Sequence, residues 1–283
     1  MGKKLIVNAD DYGRSPGVSA GILEAHTKGI VTSTTVMINQ PGIGTQLVEA
    51  LACRGLGVGL HLVFTAGRPL LPQEAVPSLV DASGRFLDQH TLWVQAETVA
   101  MDHLRAELHA QIQRFVALAG HLPDHLDCHH FVHLYPPFFQ IYADLAAEYR
   151  LPLRVPFPPE TSFREAAGSL PFLEGFPRDL VRGMVVTNSA LLRARHLAHP
   201  GCFISSFFGW EALRLDYLLN VLDTLPEGIS ELMCHPGHAD PPLAGSGYRR
   251  EREAELHLLT HPAVRQRVAD SRIELVAFDA LGG

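Results

Sequence analysis

The 283-residue chain is 47% hydrophobic, enough for a large core, and its net charge of −7 with no basic block argues against nucleic acid as a partner. No apolar run approaches the roughly 20 residues of a membrane span, and the run after Lys3 and Lys4 is too short for a signal peptide. Cys53, Cys128, Cys202 and Cys234 form no C-x-x-C pair, which excludes a zinc ribbon and fits a reducing cytoplasm.

Leu5-Ile6-Val7 reads as a buried strand that breaks at Asn8 and runs into the adjacent acids Asp10 and Asp11. Two neighbouring carboxylates at a strand end repel each other and lose hydration, and a bound cation is the usual compensation. Alternation sends neighbouring strand residues to opposite faces. One Asp can therefore hold a metal while the other faces a reacting water; a solvated turn is the plainer alternative.

Ser15-Pro16 predicts an N-cap followed by proline at the first helical position. Val18, Ile22, Leu23 and Ala25 continue that helix, and Gly29 stops it. A Val- and Thr-rich strand follows over 30–38, then a helix on Ile43, Leu47, Val48 and Leu51. Residues 56–63 read as a third strand with His61 near its end. Prolines 69, 72 and 77 punctuate a long loop over 65–98, of a length usually functional or mobile.

Leu104, Leu108, Ile112 and Phe115 predict a helix, residues 124–132 a fourth strand, and Pro136 the start of another helix. In a strand, Asp127, His129, Phe131 and His133 share one face. An Asp and two His on one face make a natural metal or proton-relay site, although a lone His is more often a satisfied core residue. Residues 151–157 read as a fifth strand carrying Arg154, whose guanidinium among apolar neighbours needs a carboxylate, with Asp10 a candidate. Residues 158–177 look like an insertion or lid whose Phe163, Phe172 and Phe176 suit either sugar stacking or core packing. A helix over 180–197, a strand over 202–208, a helix over 211–225, a strand over 229–234 ending at His235, a charged helix over 248–260 and a strand over 273–278 complete the chain.

Eight strand candidates alternating with helices predict a parallel α/β architecture, best closed as a distorted (β/α) barrel of about seven to eight strands. The expectation is a single domain over 1–283 with insertions near 65–98 and 158–177. Barrels place chemistry at the C-terminal ends of their strands, where Asp10, Asp11, His61, His129, Arg154 and His235 all fall. Two His and one Asp with an open position make a catalytic metal site, and a second carboxylate with a separate His completes the hydrolysis of an amide or ester.

Five stretches together resemble the YdjC-like carbohydrate deacetylases, a family that includes chitooligosaccharide deacetylases and hopanoid-associated HpnK proteins. They are Asn8-Ala9-Asp10-Asp11-Tyr12-Gly13, Gly29-Ile30-Val31-Thr32-Ser33-Thr34, Val58-Gly59-Leu60-His61-Leu62, the run from His125 to His133, and Glu231-Leu232-Met233-Cys234-His235-Pro236-Gly237. The resemblance implies Asp11, His61 and His129 as metal ligands, Asp10 as general base, Arg154 as the arginine that orients it, and His235 as general acid. Tyr12 stands where Phe is common. Phe131 stands where chitooligosaccharide deacetylases often have a third His, which bears on the sugar rather than the metal. One divalent ion is implied; nitrogen-rich ligands favour zinc, while the family is also described with magnesium.

The implied partner is an N-acetylated sugar or glycoconjugate, in a protein with no nucleic-acid partner, no integral membrane segment and room for a homodimer. Glycoside hydrolysis by paired carboxylates is the rival enzyme reading, but adjacent acids suit opposite sides of a sugar ring poorly. A non-catalytic sugar-binding protein on the same fold would be favoured by loss of a metal ligand, and none is lost.

Overall fold

The computed structural model describes residues 2–157 and 178–282. Among these, seven strands form one sheet in the order β4-β3-β2-β1-β6-β5, with β7 also on β1, and every ladder is parallel. The strands are β1 (Lys3–Tyr12), β2 (Ser33–Val36), β3 (Gly57–Leu62), β4 (Leu126–Cys128), β5 (Cys202–Ile204), β6 (Gly228–Cys234) and β7 (Glu274–Leu275). The helices are α1 (Pro16–Lys28), α2 (Ile43–Ala52), α3 (Gln89–Val94), α4 (Met101–Ala119), α5 (Pro136–Tyr149), α6 (Arg178–Arg195), α7 (Leu215–Asp223), α8 (Arg250–Leu259) and α9 (Pro262–Asp270). The sheet curls into the expected distorted barrel.

Strand alternation divides β1 into two functional faces. Leu5, Val7 and Ala9 join Val18, Ile22 and Ala25 of α1 in the main apolar core. Asn8 and Asp10 point the other way, into the barrel: Asn8 Nδ2 donates to Asp10 and to Thr35 of β2, Thr35 reaches His61 of β3 and Asp127 of β4, and Arg154 ties Asp10 to Asp127 and to Glu231 of β6. The helices therefore cover the apolar faces, and the barrel interior is a polar network.

The α1 start is as expected: Ser15 Oγ accepts from the Val18 amide at 3.2 Å, and Pro16 holds the first turn. Other boundaries move for local reasons. The fourth strand stops at Cys128 instead of running to 132, because His130 and Phe131 adopt left-handed φ of 61° and 55° inside a 3-10 turn, His129–Leu134. The single shared face of Asp127, His129, Phe131 and His133 does not exist. The fifth strand reduces to one bridge, Leu126 to Leu153, with the Arg154 amide donating to Leu126 O at 2.9 Å. Pro152 and Pro156 flank it and have no N–H to extend a ladder.

The strand expected over 202–208 ends at Ile204, and the final strand is only Glu274–Leu275. The loop over 65–98 contains three short 3-10 turns and α3, and it buries Val76, Leu79, Phe86 and Leu92. Helix α9 goes beyond the sequence reading; only Val264 and Val268 of its nine residues are buried, so its apolar signal is faint. The insertion over 158–177 with Phe163, Phe172 and Phe176 lies outside the described residues. No helix among the described residues is long and apolar enough to cross a membrane, and all four cysteines are free thiols.

Gly59 is required by the barrel floor. A Cβ there would lie 2.3–2.7 Å from three atoms of the His125 imidazole. That ring cannot retreat, because it is stacked 3.5 Å from Phe278 and held 2.6 Å from Asp124 Oδ1. Gly59→Ala is expected to destabilise the protein by roughly 1–3 kcal/mol, the usual penalty of overpacking. Urea unfolding measures it, and an unchanged midpoint would show that the ring has room to move.

Candidate active site and metal centre

A cavity of about 400 Å³ opens at the C-terminal ends of the strands and is lined by Asp10, Asp11, His61, His129 and His235, among others. The two Asp residues reach it together because β1 bulges. Ala9 pairs with Thr34 and Tyr12 with Val36, so three steps on β1 match two on β2. The extra residue is Asp11, at φ 72°, a left-handed conformation that Asp tolerates better than most side chains. Simple alternation would have sent Asp11 away from Asp10. The bulge turns both carboxylates to one cavity.

Asp11 Oδ1, His61 Nε2 and His129 Nδ1 form a compact triangle. The edges are 3.5 Å from His61 to Asp11, 3.1 Å from His129 to Asp11, and 3.2 Å between the two imidazoles. Ligands bound at 2.0–2.2 Å stand about 3.0–3.5 Å apart around one ion, so this donor set fits a divalent metal. Asp11 Oδ1 and His129 Nε2 are buried without a hydrogen-bond partner among the described residues. At this end of the barrel Asp10, Asp127 and Glu231 surround Arg154, while Asp11 faces Arg252 and, at 4.0 Å, Arg14.

Two of the three candidate ligands, His61 and Asp11, are held from behind. His61 Nδ1 lies 2.6 Å from Asp127 Oδ1, which places its proton on Nδ1 and leaves Nε2 as a lone pair facing the triangle. Thr35 Oγ1 donates to the other Asp127 oxygen at 2.9 Å. Burial pushes the His61 pKa down, but Asp127, Asp10 and Asp11 outweigh it and the net shift is upward. His129 shifts down because burial outweighs Asp11. Asp11 Oδ2 accepts from Arg252 Nη2, with Arg14 Nη1 4.0 Å away. Burial pushes the Asp11 carboxyl up, but Arg252 and His129 prevail and hold it well below the usual carboxylate range.

Asp10 sits in a different clamp. Arg154 Nη1 donates to its Oδ2 at 2.6 Å and Nη2 to its Oδ1 at 2.7 Å, the bidentate pairing that suits a guanidinium. Asn8 Nδ2 donates to Oδ1 at 2.9 Å. Burial alone would raise the Asp10 pKa; Arg154 overrides it and brings it down to about 2. Arg154 is fully buried and also contacts Asp127 at 2.9 Å and Glu231 at 2.6 Å. The Asp10 partner expected for Arg154 is present, with two further carboxylates.

His235 lies at the end of β6 with Nε2 3.9 Å from Asp10 Oδ2. Burial lowers its pKa to about 4 against the pull of Asp10 and Asp11, so the imidazole is neutral at pH 7. Its backbone amide donates to Glu255 Oε2, and Tyr248 OH donates to Glu255 Oε1. Burial raises Glu255 to about 8 and Glu231 to about 7.

His133 does not join the site. It packs against Phe139 and Tyr142, and burial pushes its pKa down to about 3, so it is a neutral core ring. His130 does line the cavity, its ring centroid 3.7 Å from that of His129 with the planes tilted by 31°, and its Nδ1 3.1 Å from Thr65 Oγ1. Arg252, Glu255 and Tyr248 were not singled out from sequence. They stand on or beside a helix crowded with Arg249, Arg250, Glu251 and Glu253, where nothing marks the buried charges.

The chain matches the family model described as YdjC-like protein over residues 4–270 and belongs to that family. It is 37% identical to a carbohydrate deacetylase of Brevibacillus brevis over 99% of this chain and 100% of that one. It is 36% identical to a chitooligosaccharide deacetylase of Proteus mirabilis, again over 99% and 100%. Among solved structures, an Enterococcus faecalis V583 protein described in terms of cellobiose-phosphate cleavage superposes with a TM-score of 0.83 at 32% identity, covering 99% of both chains.

The raised Glu255 pKa has a stability consequence. The folded state keeps the Glu255 proton up to about pH 8, whereas the ordinary carboxyl releases it near 4.5. Between those values the folded state binds more protons than the unfolded one, so this group makes stability fall as pH rises. Glu255→Gln cannot ionise, and its melting temperature is expected to fall less than that of wild type between pH 5 and 8. Parallel melting curves across that window would refute the shift.

Proposed function

We propose that this protein is a metal-dependent carbohydrate N-deacetylase that hydrolyses the acetamido group of an N-acetylated sugar. The observation that carries the reading is the division of labour between two adjacent carboxylates. Asp11 offers an unpartnered oxygen to a two-histidine triangle, while Asp10 is locked to a buried arginine. Carbohydrate and chitooligosaccharide deacetylases among the relatives support the same class.

In this mechanism Asp11, His61 and His129 hold one divalent ion, with zinc favoured by two nitrogen ligands and magnesium the alternative. When bound, the ion polarises the amide carbonyl and lowers the pKa of a coordinated water. Asp10 takes the proton from the attacking water. Arg154 keeps it ionised and aimed, since both of its oxygens are held. His235, neutral at rest, receives a proton with Nε2 3.9 Å from Asp10 Oδ2 and delivers it to the leaving amine. The whole chain, 1–283, acts as one catalytic domain in the cytoplasm, with insertions near 65–98 and 158–177.

The rival glycosidase reading places two acids on opposite sides of a sugar ring. Asp10 and Asp11 both face one side of the cavity, and each is tied to its own arginine.

Three substitutions separate the roles. His61→Ala is expected to fold and lose the metal by elemental analysis; full occupancy would remove it from the ligand set. Arg252→Lys keeps a charge but loses the fork, and it should weaken metal binding by roughly 10–100-fold, as expected when a ligand's outer partner is disturbed. Asp10→Asn should bind metal normally and lose roughly 10²–10⁴ in kcat for acetate release. Near wild-type turnover by Asp10→Asn, or its rescue by added metal, would refute the base assignment.

A further inference from the structure

We infer that Phe208 and Trp210 form a stacking platform for the sugar, with Phe208 against the ring that bears the acetamido group and Trp210 against the next ring. The inference rests on the deacetylase reading above and extends it to substrate length.

Both residues lie on the loop after β5, at the same end of the barrel as the cavity. Phe208 lines the cavity yet is 47% exposed, and Trp210 is 56% exposed. Large aromatic rings normally contribute by burial. Here Phe208 is held out on the cavity wall and Trp210 lies exposed two residues beyond it, the pattern expected of a surface that waits for an apolar-faced ligand.

Phe208 is also built rigidly. It stacks on Tyr248 with ring centroids 4.3 Å apart and planes within 2°. The Gly209 amide donates to Tyr248 OH at 3.2 Å, and that hydroxyl donates to Glu255 Oε1. The other Glu255 oxygen takes the His235 amide. One chain of contacts thus fixes the aromatic face and the His235 imidazole, 5.4 Å apart, as a unit. A ring held in place in advance loses little conformational freedom when a ligand arrives.

The position fixes the orientation. His235 serves the leaving nitrogen, which belongs to the sugar and not to the acetyl group. An aromatic face beside His235 is therefore on the sugar side. Pyranose rings present axial C–H groups that pack on such faces. Trp210, two residues beyond Phe208 and not a cavity-lining residue, is placed to meet a second ring outside the cavity.

The test uses N-acetylglucosamine, its β-1,4-linked dimer and its tetramer. The chain has two tryptophans, so Trp93→Phe leaves Trp210 as the sole tryptophan, which is excited selectively at wavelengths that tyrosine does not absorb. In chelator-treated protein, where turnover is stopped, dimer and tetramer are expected to change Trp210 fluorescence and monomer to change it little. In acetate-release assays, Phe208→Ala and Phe208→Leu should raise KM for all three sugars by roughly three- to tenfold, with kcat nearly unchanged. Trp210→Ala should raise KM for dimer and tetramer alone. If Phe208→Ala proves unstable, Phe208→Leu keeps the bulk without the ring and decides the point. Unchanged KM in the Phe208 and Trp210 variants, with normal wild-type turnover, overturns the platform and leaves the deacetylase reading standing. No acetate release from any probe by metal-loaded wild type overturns the deacetylase reading. The platform is then judged on fluorescence, and an absent response to all three sugars overturns it too.

Discussion

The structure depends on one buried guanidinium. Arg154 has no exposure to solvent and contacts Asp10, Asp127 and Glu231, which arise from three different strands. Removing such a cation would leave three carboxylates facing one another in a medium that cannot hydrate them, and the loss of one partner from a buried ion pair typically costs about 3–5 kcal/mol. The apolar helices provide the driving force for burial, but Arg154 decides how the barrel interior is filled. It also links the extended segment beside β4 to β1 and β6, with which that segment shares no ladder. The same residue that ties these strands together keeps Asp10 ionised.

The candidate metal triangle depends on a second arginine and a backbone irregularity. Without the bulge at Asp11, the two acids of β1 would face opposite sides of the sheet. With it they share a cavity, and their charges need separate management. Arg154 takes both oxygens of Asp10, and Arg252 takes one oxygen of Asp11. In the proposed mechanism this difference divides the roles. A carboxylate gripped through both oxygens presents a poised acceptor for a proton. One gripped through a single oxygen leaves the other aimed at the histidines.

Much of this was legible in the sequence, for identifiable reasons. The strand-end positions of Asp10, Asp11, His61 and His235 follow from short apolar runs that stop at polar residues. Arg154 stood out because its neighbours are apolar, and its pairing with Asp10 followed from the cost of burying a lone charge. The stretch from Asp127 to His133 was misread in its geometry, because period-two alternation assumes extended backbone. His130 and Phe131 take positive φ, which single-residue propensities do not announce, and His133 therefore ends in the core. Arg252 and Glu255 were invisible for the opposite reason: on a helix crowded with charges, the two that point inward look like the rest. The bulge at Asp11 has no composition signal either, since the residue that takes the left-handed conformation is an Asp already explained by its carboxylate.

The arrangement of the second-line carboxylates has a further physical logic. Glu231 and Glu255 are both fully buried, and burial raises both pKa values toward neutrality. A carboxyl that keeps its proton can sit behind an arginine or an amide as a hydrogen-bonding wedge without adding full negative charge. Asp10, gripped by Arg154 through both oxygens, and Asp11, facing Arg252 and His129, go the other way and stay ionised. Negative charge is thus concentrated on the two acids that face the cavity and kept low on the two behind. The proposed reaction, which draws in a cation and passes a proton, needs its charge at the front; Asp10 is gripped by Arg154 through both oxygens, whereas Glu231 meets the same guanidinium through one.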